Sequence, residues 1–99
     1  MDHKVILSPR AIQDLSEVVR YISADNPEAA TRFGNALIDA SLTLQTFPER
    51  GRFVPEFSDG ITREIIYGSY RLIYRVNAEQ KTVWVSRFWH AARGTPHIT

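Results

Sequence analysis

Ninety-nine residues suffice for one folding unit, residues 1–99, and leave no length for a second core. Hydrophobic residues make up 43% and aromatics 11%, which places the chain among globular rather than disordered sequences. There is no cysteine, so disulfides and thiolate-held metals are excluded, and a net charge of +1 selects no partner by itself.

The start, MDHKVILSPR, lacks the unbroken apolar run of a signal peptide, and no later stretch is long enough to span a bilayer. The expected location is the cytoplasm, with no membrane partner. His3 to Leu7 reads as a short strand. Ser8-Pro9 then starts a helix, since Ser8 can accept from an otherwise orphaned N–H and Pro9 has none to lose. Ile12, Leu15, Val18 or Val19, and Ile22 recur at helical spacing, with Asp14 and Glu17 largely elsewhere on the wheel. Asn26-Pro27 repeats the start signal after the turn at Ala24. Ala30, Phe33, Leu37, Ala40, Leu44 and Phe47 form a second stripe, and Pro48 stops that helix near Thr46. Two helices so closely linked should lie antiparallel as a hairpin.

Glu49 to Gly60 reads as an ordered but irregular connection. Beyond it the period becomes alternating, giving strands at Thr62–Tyr67, Tyr70–Val76 and Thr82–Trp89. Gly68-Ser69 makes a tight hairpin between the first two. The fold class is therefore α+β, in the order β-α-α-β-β-β, with a helical hairpin on one face of a mainly antiparallel sheet. Ile12, Leu15, Phe33, Leu37, Leu44, Leu72, Tyr74 and Val85 are the expected core. In the middle strand, Leu72, Tyr74 and Val76 should face the helices, leaving Arg71 and Arg75 on an open face within reach of a ligand.

Arginine dominates the basic residues, with only Lys4 and Lys81 as lysines. From Arg63 onward stand Arg63, Arg71, Arg75, Arg87 and Arg93, against Glu64 and Glu79. Guanidinium forks suit phosphate or carboxylate, so this half of the chain is the candidate surface for an anionic partner.

The opening VILSPRAIQDLSEVVRYI, the connector FPERGRFVPEF, the hairpin REIIYGSYRLIYRV and the closing VWVSRFWHAARG, in this element order, together resemble RelE/ParE-family toxins. The resemblance covers about residues 5–94. It implies a small cytoplasmic toxin, neutralised in a hetero-oligomer by a cognate antitoxin that wraps it with an otherwise disordered segment. RelE-like members cleave messenger RNA on the ribosome, with basic residues of the sheet and C-terminal region and often a tyrosine or histidine. ParE-like members poison DNA gyrase. The fold does not choose between them.

Through the resemblance, Arg71 falls where RelE-like nucleases place an arginine on the scissile phosphate, to stabilise transition-state charge. Its alternative role is a strand arginine paired with Glu64 or a C-terminal carboxylate. Arg93, in HAARG, is the second phosphate candidate, and Arg63 the third, in a strand where the nucleases carry lysines that are missing here. His90 has a setting suited to proton transfer. In a nuclease Arg71, Arg93 and His90 would be catalytic. In either mechanism Arg63, Arg71, Arg75, Arg87 and Arg93 would bind nucleic acid or target. His3 and His97 read as solvated, and no metal or cofactor is expected. The tail from Gly94 to Thr99 has no tyrosine where RelE-like enzymes place one. That absence and the long helical hairpin lean toward a gyrase poison. A ribosome-dependent endoribonuclease and a non-toxic, antitoxin-binding relic remain the alternatives.

Overall fold

The computed structural model describes residues 2–98. The elements run β1 (Lys4–Leu7), α1 (Pro9–Ser23), α2 (Pro27–Leu42), β2 (Arg52–Phe53), β3 (Arg63–Tyr67), β4 (Tyr70–Asn77) and β5 (Thr82–His90). Single 3-10 turns follow α2 at Thr43–Gln45 and β5 at Ala91–Arg93. Both helix starts form as their sequences dictate. The Ser8 hydroxyl accepts from the Ala11 N–H at 2.9 Å and donates to the Ser86 carbonyl, while the Asn26 side-chain Oδ1 accepts from the Ala29 N–H at 3.0 Å.

The sheet order is β1-β5-β4-β3-β2, antiparallel except for β1, which lies parallel to β5. The two-residue β2 sits in the stretch that reads as irregular and pairs Arg52 with Glu64. Gly68, with φ +57, makes the β3–β4 turn, a conformation open to glycine at little cost. The register between β4 and β5 shifts after Ile73, leaving Ser86 without a partner. This bulge lets Val85 and Phe88 both enter the helix-facing core, while Arg87 stands opposite Ile73.

The helices cover one face of the sheet over Ala11, Val18, Leu37, Leu44, Leu72, Tyr74, Val83, Val85 and Phe88. Leu15 and Phe33 pack at its margin. One expected core residue, Ile12, and one residue of the second helix's apolar stripe, Phe47, do not. Ile12 is 54% exposed, because α1 turns Ala11, Asp14 and Val18 inward instead. Phe47 is 64% exposed, because the 3-10 turn after Leu42 breaks the helical phase that would have aimed it inward.

The other face is not open either. Val54, Ile73 and Trp89 form a second buried cluster, with Phe57 packed against it. The segment after β2 thus straps across the sheet and covers the middle of the face that the alternation of β4 leaves free.

Candidate functional site

The strap decides the fate of the sheet arginines. Glu56, between Val54 and Phe57, meets Arg71 end-on, with Nη1 and Nη2 donating to its two carboxylate oxygens at 2.7 and 2.8 Å. Arg71 Nε donates to Glu64, which also accepts from Arg52 Nε at 2.8 Å. Arg52, Glu64, Arg71 and Glu56 therefore form a chain of alternating charge. The Arg71 side chain is only 8% exposed and that of Glu64 fully buried, so Arg71 is not within a ligand's reach as the strand alternation suggests. The reason is physical: a buried guanidinium requires carboxylates, and the strap and β3 supply them.

Arg87 is engaged in the same way. Its Nε and Nη2 donate to both oxygens of Asp14 on α1 at 2.6 and 2.9 Å, and Nη1 donates to the His97 carbonyl. Asp14 accepts in addition from the Phe88 N–H at 3.1 Å, capping the β5 edge beyond the end of β1. With its side chain 1% exposed, Arg87 is turned into the fold rather than toward the surface. Arg63 donates to the Gly51 carbonyl and lies 4.1 Å over the Phe53 ring. Arg75 remains accessible, at 46% side-chain exposure, while donating to Thr62 Oγ1 and facing Asp59 at 3.6 Å.

Arg93 differs from these four. Among the described residues it makes no ion pair, and its guanidinium stacks 4.3 Å over the Trp89 ring. Trp89 is the cross-strand partner of Arg71, so the two arginines reach the same end of the β4–β5 pair. His90 ends β5 on the opposite face, edge-on to Tyr70 at 4.9 Å, and its Nδ1 accepts from the Ala92 N–H at 3.1 Å. A cleft of about 160 Å³ joins His90 and Arg93 to Glu17, Tyr21 and Tyr70. Burial raises the Tyr70 hydroxyl above its ordinary pKa, with Tyr21 adding to the shift.

Sequence reading missed Asp14, Glu56 and Tyr21. Asp14 lies off the stripe that Ile12, Leu15 and Ile22 mark, so its burial between Ala11 and Val18 showed only in the fold. Glu56 carried no signal either, because nothing local marks which acid of a connector folds back. Among the described residues, no group of three histidines, cysteines or acids is placed to hold a metal ion. No helix there is long and apolar enough to cross a membrane.

The acids facing this network are held ionised. Hydrogen bonds from Arg71 lower Glu56 from its ordinary 4.5 to about 2. The N–H groups of Thr62 and Ile61 lower Asp59 from 3.8 to about 2. Both folded values lie below the unfolded ones, so their stabilisation is complete above about pH 5 and is lost as pH falls toward 2. A Glu56→Gln, Asp59→Asn double variant should melt below the parent near neutral pH, with the gap closing by about pH 2. Melting curves that stay parallel throughout would show that these two acids do not set the acid limit.

A model of the ParE toxin of the type II toxin–antitoxin system parDE matches residues 5–94. The chain belongs to this toxin family. The toxin is 33% identical over 92 residues to Toxin RelE1 of Caulobacter vibrioides, covering 91% of this chain and 95% of that relative. Its structure is similar to a chain of the RelBE2 toxin–antitoxin complex of Mycobacterium tuberculosis, with a TM-score of 0.70 and 26% identity. That match covers 91% of this chain and 99% of the other. The chromosomal ParDE system of P. aeruginosa gives a TM-score of 0.73 over 89% of this toxin and 95% of that chain. At 19% identity it is a likeness of fold. The α+β architecture, two helices on a mixed five-stranded sheet, is thus the one these toxins share.

Proposed function

We propose that this toxin acts by binding a protein target, DNA gyrase, rather than by cutting messenger RNA, and that a cognate antitoxin neutralises it. The observation that carries this reading is the closure of Arg71 by Glu56 and Glu64. A phosphoryl-transfer site needs unneutralised cations aimed at the place where charge develops. Here Arg71 and Arg87 are paired with internal carboxylates, which leaves Arg93 and part of Arg75 for an outside anion. The tail beyond Arg93 has no tyrosine to assist. For the antitoxin, support comes from exposed apolar surface. Ile66 and Tyr67 on β3, with Ala36 and Ala40 on α2, line a groove of about 410 Å³ suited to an amphipathic segment.

One feature favours the second reading, a ribosome-dependent endoribonuclease: His90 and Arg93 share a cleft with Tyr21 and Tyr70. The deciding experiment is controlled induction in a bacterial host, mapping messenger RNA ends and gyrase cleavage complexes side by side. Parent, Arg71→Ala and Arg93→Ala should all leave messages intact, and the parent should accumulate gyrase–DNA adducts. Ribosome-dependent cuts that drop by orders of magnitude in either alanine variant would establish the nuclease instead. Neither signal, from a folded and non-toxic chain, would identify an antitoxin-binding relic.

A further inference from the structure

Exposed apolar side chains gather at the end of the sheet opposite His90. Phe53, Ile61 and Trp84 are 47%, 54% and 44% exposed. Phe53 lines a cleft of about 480 Å³ and Trp84 one of about 530 Å³, and the two clefts meet at Ile61 and Val76. Asn77 pairs with Thr82 at this end of the β4–β5 hairpin, while Tyr70 pairs with His90 at the other. Neither cleft shares a lining residue with the groove at Ile66 or with the cleft at His90. The surfaces already described therefore leave this patch without a role. A contiguous apolar surface rimmed by charge marks a contact with another macromolecule.

The charges around the patch decide what fits it. Arg63 faces Glu49 and Arg75 faces Asp59, each pair at 3.6 Å, so these four balance within the chain. Glu79 and Lys81 are exposed on the turn between β4 and β5, and among the described residues neither makes an ion pair. Glu79 lines the Trp84 cleft and Lys81 the Phe53 cleft, with Ile61 shared between them. An acidic partner would meet Glu79, and a basic partner Lys81. A second copy related by a two-fold axis offers both signs, so that each free acid can face the other's free base.

We propose that this end of the sheet is the face by which two copies of the toxin pair, with Ile61 and Trp84 at its centre and Glu79 and Lys81 crossing at its rim. A large aromatic side chain set in an apolar cleft is the usual anchor of such a contact. The groove at Ile66 stays open in each copy, so pairing and neutralisation by an antitoxin are compatible. The pairing does not depend on whether gyrase or messenger RNA is the target.

The test is sedimentation velocity of the purified whole chain at low salt, over a wide range of concentration. The parent should pass from monomer to dimer as concentration rises. Trp84→Ser and Ile61→Ser should each weaken pairing roughly tenfold or more. Both side chains are exposed in the single chain, so its circular dichroism should not change. Charge reversal separates a second copy from any other occupant. Lys81→Glu puts two acids on the turn and Glu79→Lys two bases, so neither variant should pair with itself. Mixed in equal amounts, the two variants should form a heterodimer. A parent that stays monomeric at every concentration would overturn the proposal. So would a dimer that both serine variants leave unchanged, or charge variants that pair no better mixed than alone. Should a serine variant lose the native spectrum, the turn variants decide, because Glu79 and Lys81 are exposed and support no packing.

Discussion

Replacing Asp14 with alanine should destabilise the chain by about 3–5 kcal/mol, the range for breaking a buried ion pair by removing one member. The Arg87 side chain is 1% exposed and would keep the His97 carbonyl but lose both bonds to carboxylate. The Phe88 N–H would lose its acceptor at the same time. At roughly 4–8 °C per kcal/mol for a chain of this size, the melting temperature should fall by more than about 10 °C. Removing both charges together is a different experiment. In Asp14→Leu, Arg87→Met no guanidinium is left stranded, and most of the loss should be recovered. If the single alanine variant costs less than about 1 kcal/mol, the pair behaves as an exposed bridge and Arg87 is free to act elsewhere.

That pair also shows where reading the sequence stops. Ser8-Pro9 and Asn26-Pro27 gave both helix starts because a cap is a contact over three residues, 2.9 and 3.0 Å here. The hairpin at Gly68 and the alternation of β4 are equally local, so the order of elements and the inward set Leu72 and Tyr74 were readable. Asp14 and Arg87 are 73 residues apart, and no local pattern joins them. Asp14 faces inward with Ala11 and Val18, and in that phase Ile12, which a helical wheel alone turns inward, is exposed.

The arginines were legible in composition and not in accessibility. Arg63, Arg71, Arg75, Arg87 and Arg93 all fall in the C-terminal half of the sequence, and Arg71 does pair with Glu64. Whether a strand arginine is free depends on what crosses above it. Residues 54–57 read as connector, yet Val54 and Phe57 carry enough apolar surface to hold that connector down on Ile73 and Trp89. The bulge at Ser86 was equally hidden. Strict alternation through TVWVSRFWH would send Val85 and Phe88 to opposite faces, and only the register shift reconciles both with one core.

The strap depends in turn on Gly51, and its replacement is the second large effect expected. The Gly51 N–H donates to Tyr74 Oη at 2.9 Å, bringing the chain against a fully buried ring. A Cβ at this position would lie 2.6 Å from the Glu64 carbonyl oxygen and 2.6 Å from Tyr74 Oη. Neither neighbour yields easily, because Glu64 is paired on both sides within the sheet and Tyr74 sits in the core. Gly51→Ala should therefore cost about 1–3 kcal/mol by overpacking, and Gly51→Val more. Adding Tyr74→Phe removes the contact with Oη but leaves those with the Glu64 carbonyl oxygen and, at 2.9 Å, the ring carbon Cε1, so it should rescue only part of the loss. Displacing Gly51 also moves β2 and the root of the strap, so the variant should expose Arg71. Its Nε–H should lose protection from hydrogen exchange before the helix-facing core does. A Gly51→Ala chain as stable as the parent, with Arg71 still protected, would mean that the close approach at Gly51 does not hold the strap in place.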